Sequence, residues 1–207
     1  MTREALQWRH RNNRMCKLVT DLLIRALAPT DSLDELTALL HRAFAPLGRM
    51  GLTCGCIAQS VATTALRAAR GTCFVALQER RIVGTVTVER PDPANECAWY
   101  RRPRTASAHQ FGVEPGVQHR GFGTHLLGAA ERWAAAQGYA ELALDTPRRA
   151  CHLVDWYRAH GFTPVDDVRH AGKTYRSVVL GKPVGEVAPP AGMWRAPHRT
   201  WVEPAPH

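Results

Sequence analysis

From Val113 to Thr124 the chain reads Val-Glu-Pro-Gly-Val-Gln-His-Arg-Gly-Phe-Gly-Thr, at a point where a strand pattern gives way to a helix pattern. Gly121 and Gly123 allow backbone to approach a ligand closely, because no Cβ stands in the way. The first amides of the helix that follows point outward, unpaired, at the positive end of the helix dipole. A turn of this kind binds phosphate or pyrophosphate. No Gly-Lys-Ser/Thr follows, which excludes a nucleoside-triphosphate loop, and the glycine spacing differs from the dinucleotide fingerprint. The residues alone therefore specify an anion site. Metal chemistry is disfavoured. Cys54-Gly-Cys56 has one intervening residue where a zinc knuckle usually has about two to four, and no matching Cys or His pair follows at finger spacing.

The elements that must position this turn can be read from periodicity and turn residues. Leu18 to Leu27 is a first strand that stops before Ala28-Pro29. Ser32 and Glu35 have the spacing of a capping box, and Leu33, Leu36, Leu39, Leu40 and Phe44 recur at helical intervals. This predicts a helix ending near Ala45, with a loop from Pro46 to Gly55. A second helix covers Ser60 to Arg70 and ends at Gly71. Cys73–Leu77 and Ile82–Val88 form a hairpin, and Pro91–Thr105 is a long irregular connection. Ser107–Val113 is the strand before the anion turn. The helix after it carries Leu126, Leu127, Ala130, Trp133 and Ala134 on one face and stops at Gly138. Leu142–Leu144 is a short buried strand, and Asp145 or Thr146 is placed to cap the next helix with Pro147 at its first position. That helix gathers Leu153, Trp156, Tyr157 and His160 and ends at Gly161; Ser177–Leu180 is the last strand.

The 207 residues favour one domain over residues 17–183, with an extension at 1–16 and a Pro-rich tail at 184–207 that carries Trp194 and Trp201. The net charge is +9 and the pI about 9.8. The arginines are dispersed over the amino terminus, Arg101 to Arg104, Arg148, Arg149 and the tail, without a basic helix or an RNA-recognition motif, so nucleic acid is disfavoured as a partner. No apolar run approaches the ~20 residues that span a bilayer, and the Arg-rich amino terminus lacks the apolar segment of a secretory signal. The expectation is a cytoplasmic protein with reduced cysteines and no membrane contact.

Gln118-x-Arg120-Gly121-x-Gly123 following Val113-x-Pro115 resembles the acetyl-CoA signature of the GNAT superfamily of N-acyltransferases. Trp156-Tyr157-Arg158-Ala159-His160-Gly161-Phe162 resembles the Tyr-x-x-x-Gly-Phe ending of that family's fourth helix, and the order of elements over 18–183 is similar too. The resemblance implies an α/β (α+β) fold: a mixed, twisted sheet of about six or seven strands, flanked by about four helices, with a splayed cofactor cleft. It implies acetyl-CoA as co-substrate, held by Val113, Gln118, His119, Arg120, Gly121, Phe122, Gly123 and Thr124, although the Phe122 side chain reads as packing. Pantetheine enters between the strand ending at Val113 and that at Leu142–Leu144. The resemblance makes Tyr157 the acid that protonates the departing thiolate. A similar strand position bears a catalytic His in some members, which makes His109 the leading candidate for the base, beside a reading as a partly buried polar residue next to Gln110; Glu96 and Glu114 are weaker candidates from their chemistry alone. Ala150 departs from the family, standing near where many members have an asparagine facing the pantetheine arm.

The implied function is acetyl transfer to a primary amine by direct attack in a ternary complex. Trp99 and Tyr100 either line the acceptor pocket or cover the hairpin. The acceptor is open: a small amine, an amino acid, an antibiotic, a peptide N-terminus or a protein lysine. Two other readings stay in play, a non-catalytic acyl-CoA-binding module and a transferase acting on an RNA-linked or protein amine. A homodimer is compatible with the sequence.

Overall fold

Seven strands and four helices follow one another along residues 22–185, the part of the chain that the computed structural model describes. In order they are β1 (Leu23–Ala26), α1 (Leu33–Arg49), α2 (Val61–Ala68), β2 (Thr72–Gln78), β3 (Arg81–Glu89), β4 (Thr105–Val113), α3 (Phe122–Ala136), β5 (Glu141–Pro147), α4 (Cys151–Ala159), β6 (Thr163–Val168) and β7 (Ser177–Pro183). All strands join one sheet in the order β1-β2-β3-β4-β5-β7-β6. Only β4 and β5 run parallel to each other. The mixed sheet and four helices match the expected fold class. The extension at 1–16 and all but the first two residues of the tail at 184–207 lie outside the described residues. Among those described, no helix is long and apolar enough to cross a membrane.

Two apolar clusters hold the layers together. One fills the space between the sheet and α3 and α4, with Val86, Leu126, Leu142, Phe162 and Leu180. The other sits under α1 and α2, with Leu36, Leu39, Leu40, Val75 and Ile82. Burying each such side chain contributes roughly 1.5–3 kcal/mol.

The feature that matters for function is where the sheet opens. β4 pairs with β5 only from Thr105 to Ser107, against Glu141 to Ala143. Beyond that point β5 keeps its partner β7 as far as Pro147. β4 instead carries a bulge: Thr85 faces Gly112 and Thr87 faces His109, so Gln110 and Phe111 together oppose one residue of β3. Gln110 sits in the left-handed region, with φ +49°. A bulge bends its strand and sharpens the twist. The two parallel strands diverge there and leave a gap.

Three expectations are corrected by the fold. α1 runs through Pro46 to Arg49 instead of ending near Ala45. A proline forfeits only one helical hydrogen bond, and the helix is closed one turn later by a Schellman motif at Gly51 (φ +74°), with Leu52 N–H donating to the Leu47 carbonyl. Leu47 and Leu52 are both buried. β5 continues through Pro147, so neither Asp145 nor Thr146 caps α4; the cap position is Ala150. Pairing with β7 at Val179, Val178 and Ser177 holds that segment extended. β6 is an element the sequence pattern does not predict: Pro164, Asp166 and Asp167 argue against a strand, but β6 is an edge, where proline and charge are tolerated. β1 begins at Leu23, and its expected start at Leu18 lies outside the described residues.

The capping box is also only half made. Ser32 Oγ accepts from the Glu35 amide, at 3.1 Å, but the Glu35 carboxylate accepts from the Ile82 amide instead, at 3.0 Å. The side chain that seemed to serve the helix locally ties α1 to β3.

Candidate active site

The turn after β4 has the geometry its glycines suggest. Pro115–Val117 makes a short 3-10 turn, and Gln118 then donates through Nε2 to the Val113 carbonyl, at 3.2 Å. His119 and Gly121 both adopt left-handed φ, +61° and +84°. Gly121 is the cap residue of α3, and no side chain caps the helix. The amides of Phe122, Gly123 and Thr124 precede the first helical bond, from His125 N–H to the Gly121 carbonyl, and face outward as an anion cradle. The Phe122 ring is buried in the core, so only its amide is free to serve a ligand. The Arg120 guanidinium lies 5.4 Å above that ring, and Arg120 itself is exposed. Thr124 Oγ1 lies 3.0 Å from His160 Nε2; His160 Nδ1 is 2.8 Å from the Trp156 carbonyl and donates to it, so the threonine is the donor.

This loop forms one end of a cavity of about 1230 Å³ that follows the gap between β4 and β5. Gln118, His119, Gly121, Gly123, Thr124 and Val113 line it, as do Tyr157, His109 and Tyr100. Most of the site residues expected from sequence therefore share one space. Trp99 does not line it. Its indole donates to Glu141 Oε2, at 3.1 Å, and its ring carries the Arg102 guanidinium at 3.9 Å.

Tyr157 and His109 approach the gap from opposite faces of the sheet. Tyr157 belongs to the cluster under α3 and α4, edge-on to Trp156 at 5.2 Å and to Phe162 at 6.0 Å. Burial, and then the Asp145 charge, push its phenol well above the ordinary value, so it stays protonated. His109 lies on the other face, edge-on to Tyr100 at 5.4 Å. Its Nε2 is 2.8 Å from Ser107 Oγ and 3.9 Å from Glu89. Burial is the largest influence on His109 and lowers its pKa, against the opposing pull of Glu89 and Asp145. A neutral imidazole at neutral pH can accept a proton.

The structure adds residues that the sequence did not single out. Tyr100 donates to Asp145 Oδ1, at 3.0 Å, and His170 Nε2 donates to Asp145 Oδ2, also at 3.0 Å. His170 Nδ1 is 3.5 Å from Glu96, which accepts from the Ala171 amide. Hydrogen bonding to Asp145 raises the His170 pKa; burial would raise that of Asp145, but His170 overcomes it and holds the carboxyl low. His170 thus contributes stability below the ordinary histidine value near 6.5, and this is lost as pH rises through its raised pKa. Glu114, a weaker base candidate, is taken up by a bidentate pair with Arg42, at 2.7 and 3.0 Å. Ala150 is fully buried against Leu47 and Leu52 and serves packing.

The acetyltransferase (GNAT) family profile matches residues 36–162. Among curated protein sequences none matches this chain. Several solved structures are similar in fold. The ribosomal-protein-S18-alanine N-acetyltransferase from Escherichia coli superposes with a TM-score of 0.61 at 17% identity, over 84% of this chain and 99% of that one. An acetyltransferase of the GNAT family from Streptococcus pneumoniae gives 0.58 at 24%, over 80% and 100%. A GNAT family acetyltransferase from Elizabethkingia anophelis, solved with acetyl-CoA bound, gives 0.57 at 15%, over 79% and 99%. The profile runs from α1 through β4, the glycine turn and the helix of Tyr157, most of the chain and most of the cavity wall, and the protein accordingly belongs to the acetyltransferase (GNAT) family.

Proposed function

We propose that the protein transfers the acetyl group of acetyl-CoA to a primary amine by direct attack in a ternary complex. What carries this reading is the opposition of a neutral histidine and a protonated tyrosine across one gap, with an anion cradle at its end. The amides of residues 122–124, with Gln118, His119, Arg120 and the Thr124 hydroxyl, would hold the pyrophosphate. The pantetheine arm would lie between β4 and β5, and Val113 would flank it.

His109 would take the ammonium proton, leaving the amine lone pair free to attack the thioester carbon. The β4 amides beyond Ser107 that point toward β5 have no partner on it, and one of them can donate to the oxyanion. As the intermediate collapses the carbon–sulfur bond breaks, Tyr157 gives its proton to the sulfur, and the second proton of the attacking nitrogen leaves to restore the phenol. Positioning within the cavity supplies the rest of the acceleration. Trp99 has no part in this scheme, and Tyr100 acts on the acceptor side through Asp145.

Release of free thiol from acetyl-CoA, measured against a panel of amines, tests the proposal. Turnover with at least one amine is expected, and binding of acetyl-CoA without thiol release from any amine would mark a non-catalytic module. The pH profile tests the base. Because burial depresses the His109 pKa, the acid limb of turnover at saturating amine should lie below about 6.5. The limb should disappear in His109→Gln. A limb above 7 in the wild type, or one that survives the substitution, would assign the base elsewhere.

A further inference from the structure

We infer that the acceptor is a small amine that also bears a carboxylate, and that Arg67 is the residue that selects it. This rests on the transferase reading above and concerns the acceptor half of the same cavity. Arg67, on α2, lines that cavity. Its guanidinium donates to Gln59 Oε1, at 2.8 Å, and lies 3.8 Å from Cys56 Sγ. Gln59 is itself buried and donates to Thr64 Oγ1, at 2.7 Å, which meets Thr37 Oγ1 at 2.8 Å. Three buried polar side chains thus fix the orientation of one half-buried arginine. Among the described residues no carboxylate lies within ion-pair distance of it. Its sulfur neighbour is no counter-ion, because burial pushes the Cys56 thiol up and keeps it protonated. Arg70, one turn further on, also lines the cavity and also has no acidic partner among the described residues.

The acids of the cavity are committed elsewhere. Asp145 and Glu96 are held by His170, and Glu89 lies beside His109. A planar fork with free N–H groups, held rigid and without an anion, matches a carboxylate bidentately. It opens on the same cavity as His109. Gln110, the residue after His109, lies beside the Cys56 thiol that Arg67 contacts, and its Nε2 is buried without a hydrogen-bond partner. An acceptor with its amine at His109 and a carboxylate at Arg67 would satisfy both ends of this half-cavity.

The test compares acceptors that share an amine and differ in the anion: ω-amino acids against alkylamines of equal length, across a series of lengths, by thiol release. The wild type should prefer the carboxylate member by about tenfold or more in kcat/KM, mainly through KM. Arg67→Met keeps the aliphatic stem and should bring the two within about twofold, while Arg67→Lys should restore part of the preference. A rise in Tm with acetyl-CoA shows that each variant is folded. Should Arg67→Met fail that check, competitive inhibition of the wild type by amine-free alkanoates supplies the second measurement. Peptides carrying Asp or Asn beside the N-terminal amine form a further arm. Acetylation of the Asp peptide in preference to free amino acids would overturn the small-molecule assignment. No preference in the wild type, or one that persists in Arg67→Met, would overturn the role of Arg67 while leaving the transferase reading intact. No thiol release with any amine would remove that reading itself.

Discussion

Gly123→Leu should lower acetyl-CoA affinity by about a hundredfold or more, while Gly123→Ala should change it little. A Cβ at this position would stand 3.4 Å from Trp156 Cζ2 and 3.7 Å from Phe111 Cζ, which is ordinary contact. Alanine therefore fits. The branched end of a leucine must either displace Trp156, which lines the cavity, or turn across the uncapped amides of α3. Either course removes hydrogen bonds to the pyrophosphate. Charge-assisted bonds contribute roughly 1.5–3 kcal/mol each, and each 1.4 kcal/mol is about tenfold in affinity, so losing two gives this range or more. The position is well suited to the experiment because its φ is not left-handed, unlike the +84° of Gly121, so substitution adds bulk without backbone strain. Calorimetry and the Tm shift on adding acetyl-CoA measure the effect. A leucine variant stabilised by acetyl-CoA as strongly as the wild type would place the anion site elsewhere.

The anion turn was legible because its signal is local. Glycines, a strand before and a helix after sit within about a dozen residues, and no distant contact is needed to read them. The same holds for the helix ends at Gly138 and Gly161, both left-handed in the structure. Legibility fails where a distant strand decides the outcome. Asp145-Thr146-Pro147 has every local mark of a helix start, yet the ladder to β7 keeps it extended. With it went the chance of reading Asp145 as a site residue, since its partners Tyr100 and His170 stand 45 and 25 positions away. Pro46 misled in the opposite sense. It stands within the last turn of α1, where Gly51-Leu52 supplies the true stop. Arg67 belongs to the same class. On α2 it reads as an ordinary solvated charge, and only the contact with Gln59 and the missing acid distinguish it.

The acid can be tested by removing one atom. Tyr157→Phe keeps the ring against Trp156 and Phe162, so packing and acetyl-CoA binding should be nearly unchanged. Burial and the Asp145 charge, with no hydrogen bond, set the acidity of this phenol, so the substitution leaves no partner unsatisfied. Removing a hydroxyl that faces the cavity and has no partner in the protein is close to neutral for stability. Turnover should nevertheless fall by roughly ten- to a thousandfold, within or just below the usual range for general acid catalysis. The raised pKa has two consequences of opposite sense. It guarantees that the proton is present over the whole neutral range. It also makes the phenol a weak donor to the less basic thiolate, so the proton is shared as charge develops on sulfur instead of being handed over beforehand. That places the expected loss toward the lower part of the range. Turnover number and Tm, measured on one preparation with any accepted amine, decide the matter. A fall in turnover at constant Tm assigns the hydroxyl to the leaving group. Unchanged turnover, with chemistry shown to be rate-limiting, would leave solvent to protonate coenzyme A, and parallel losses in stability and turnover would reduce Tyr157 to a core aromatic.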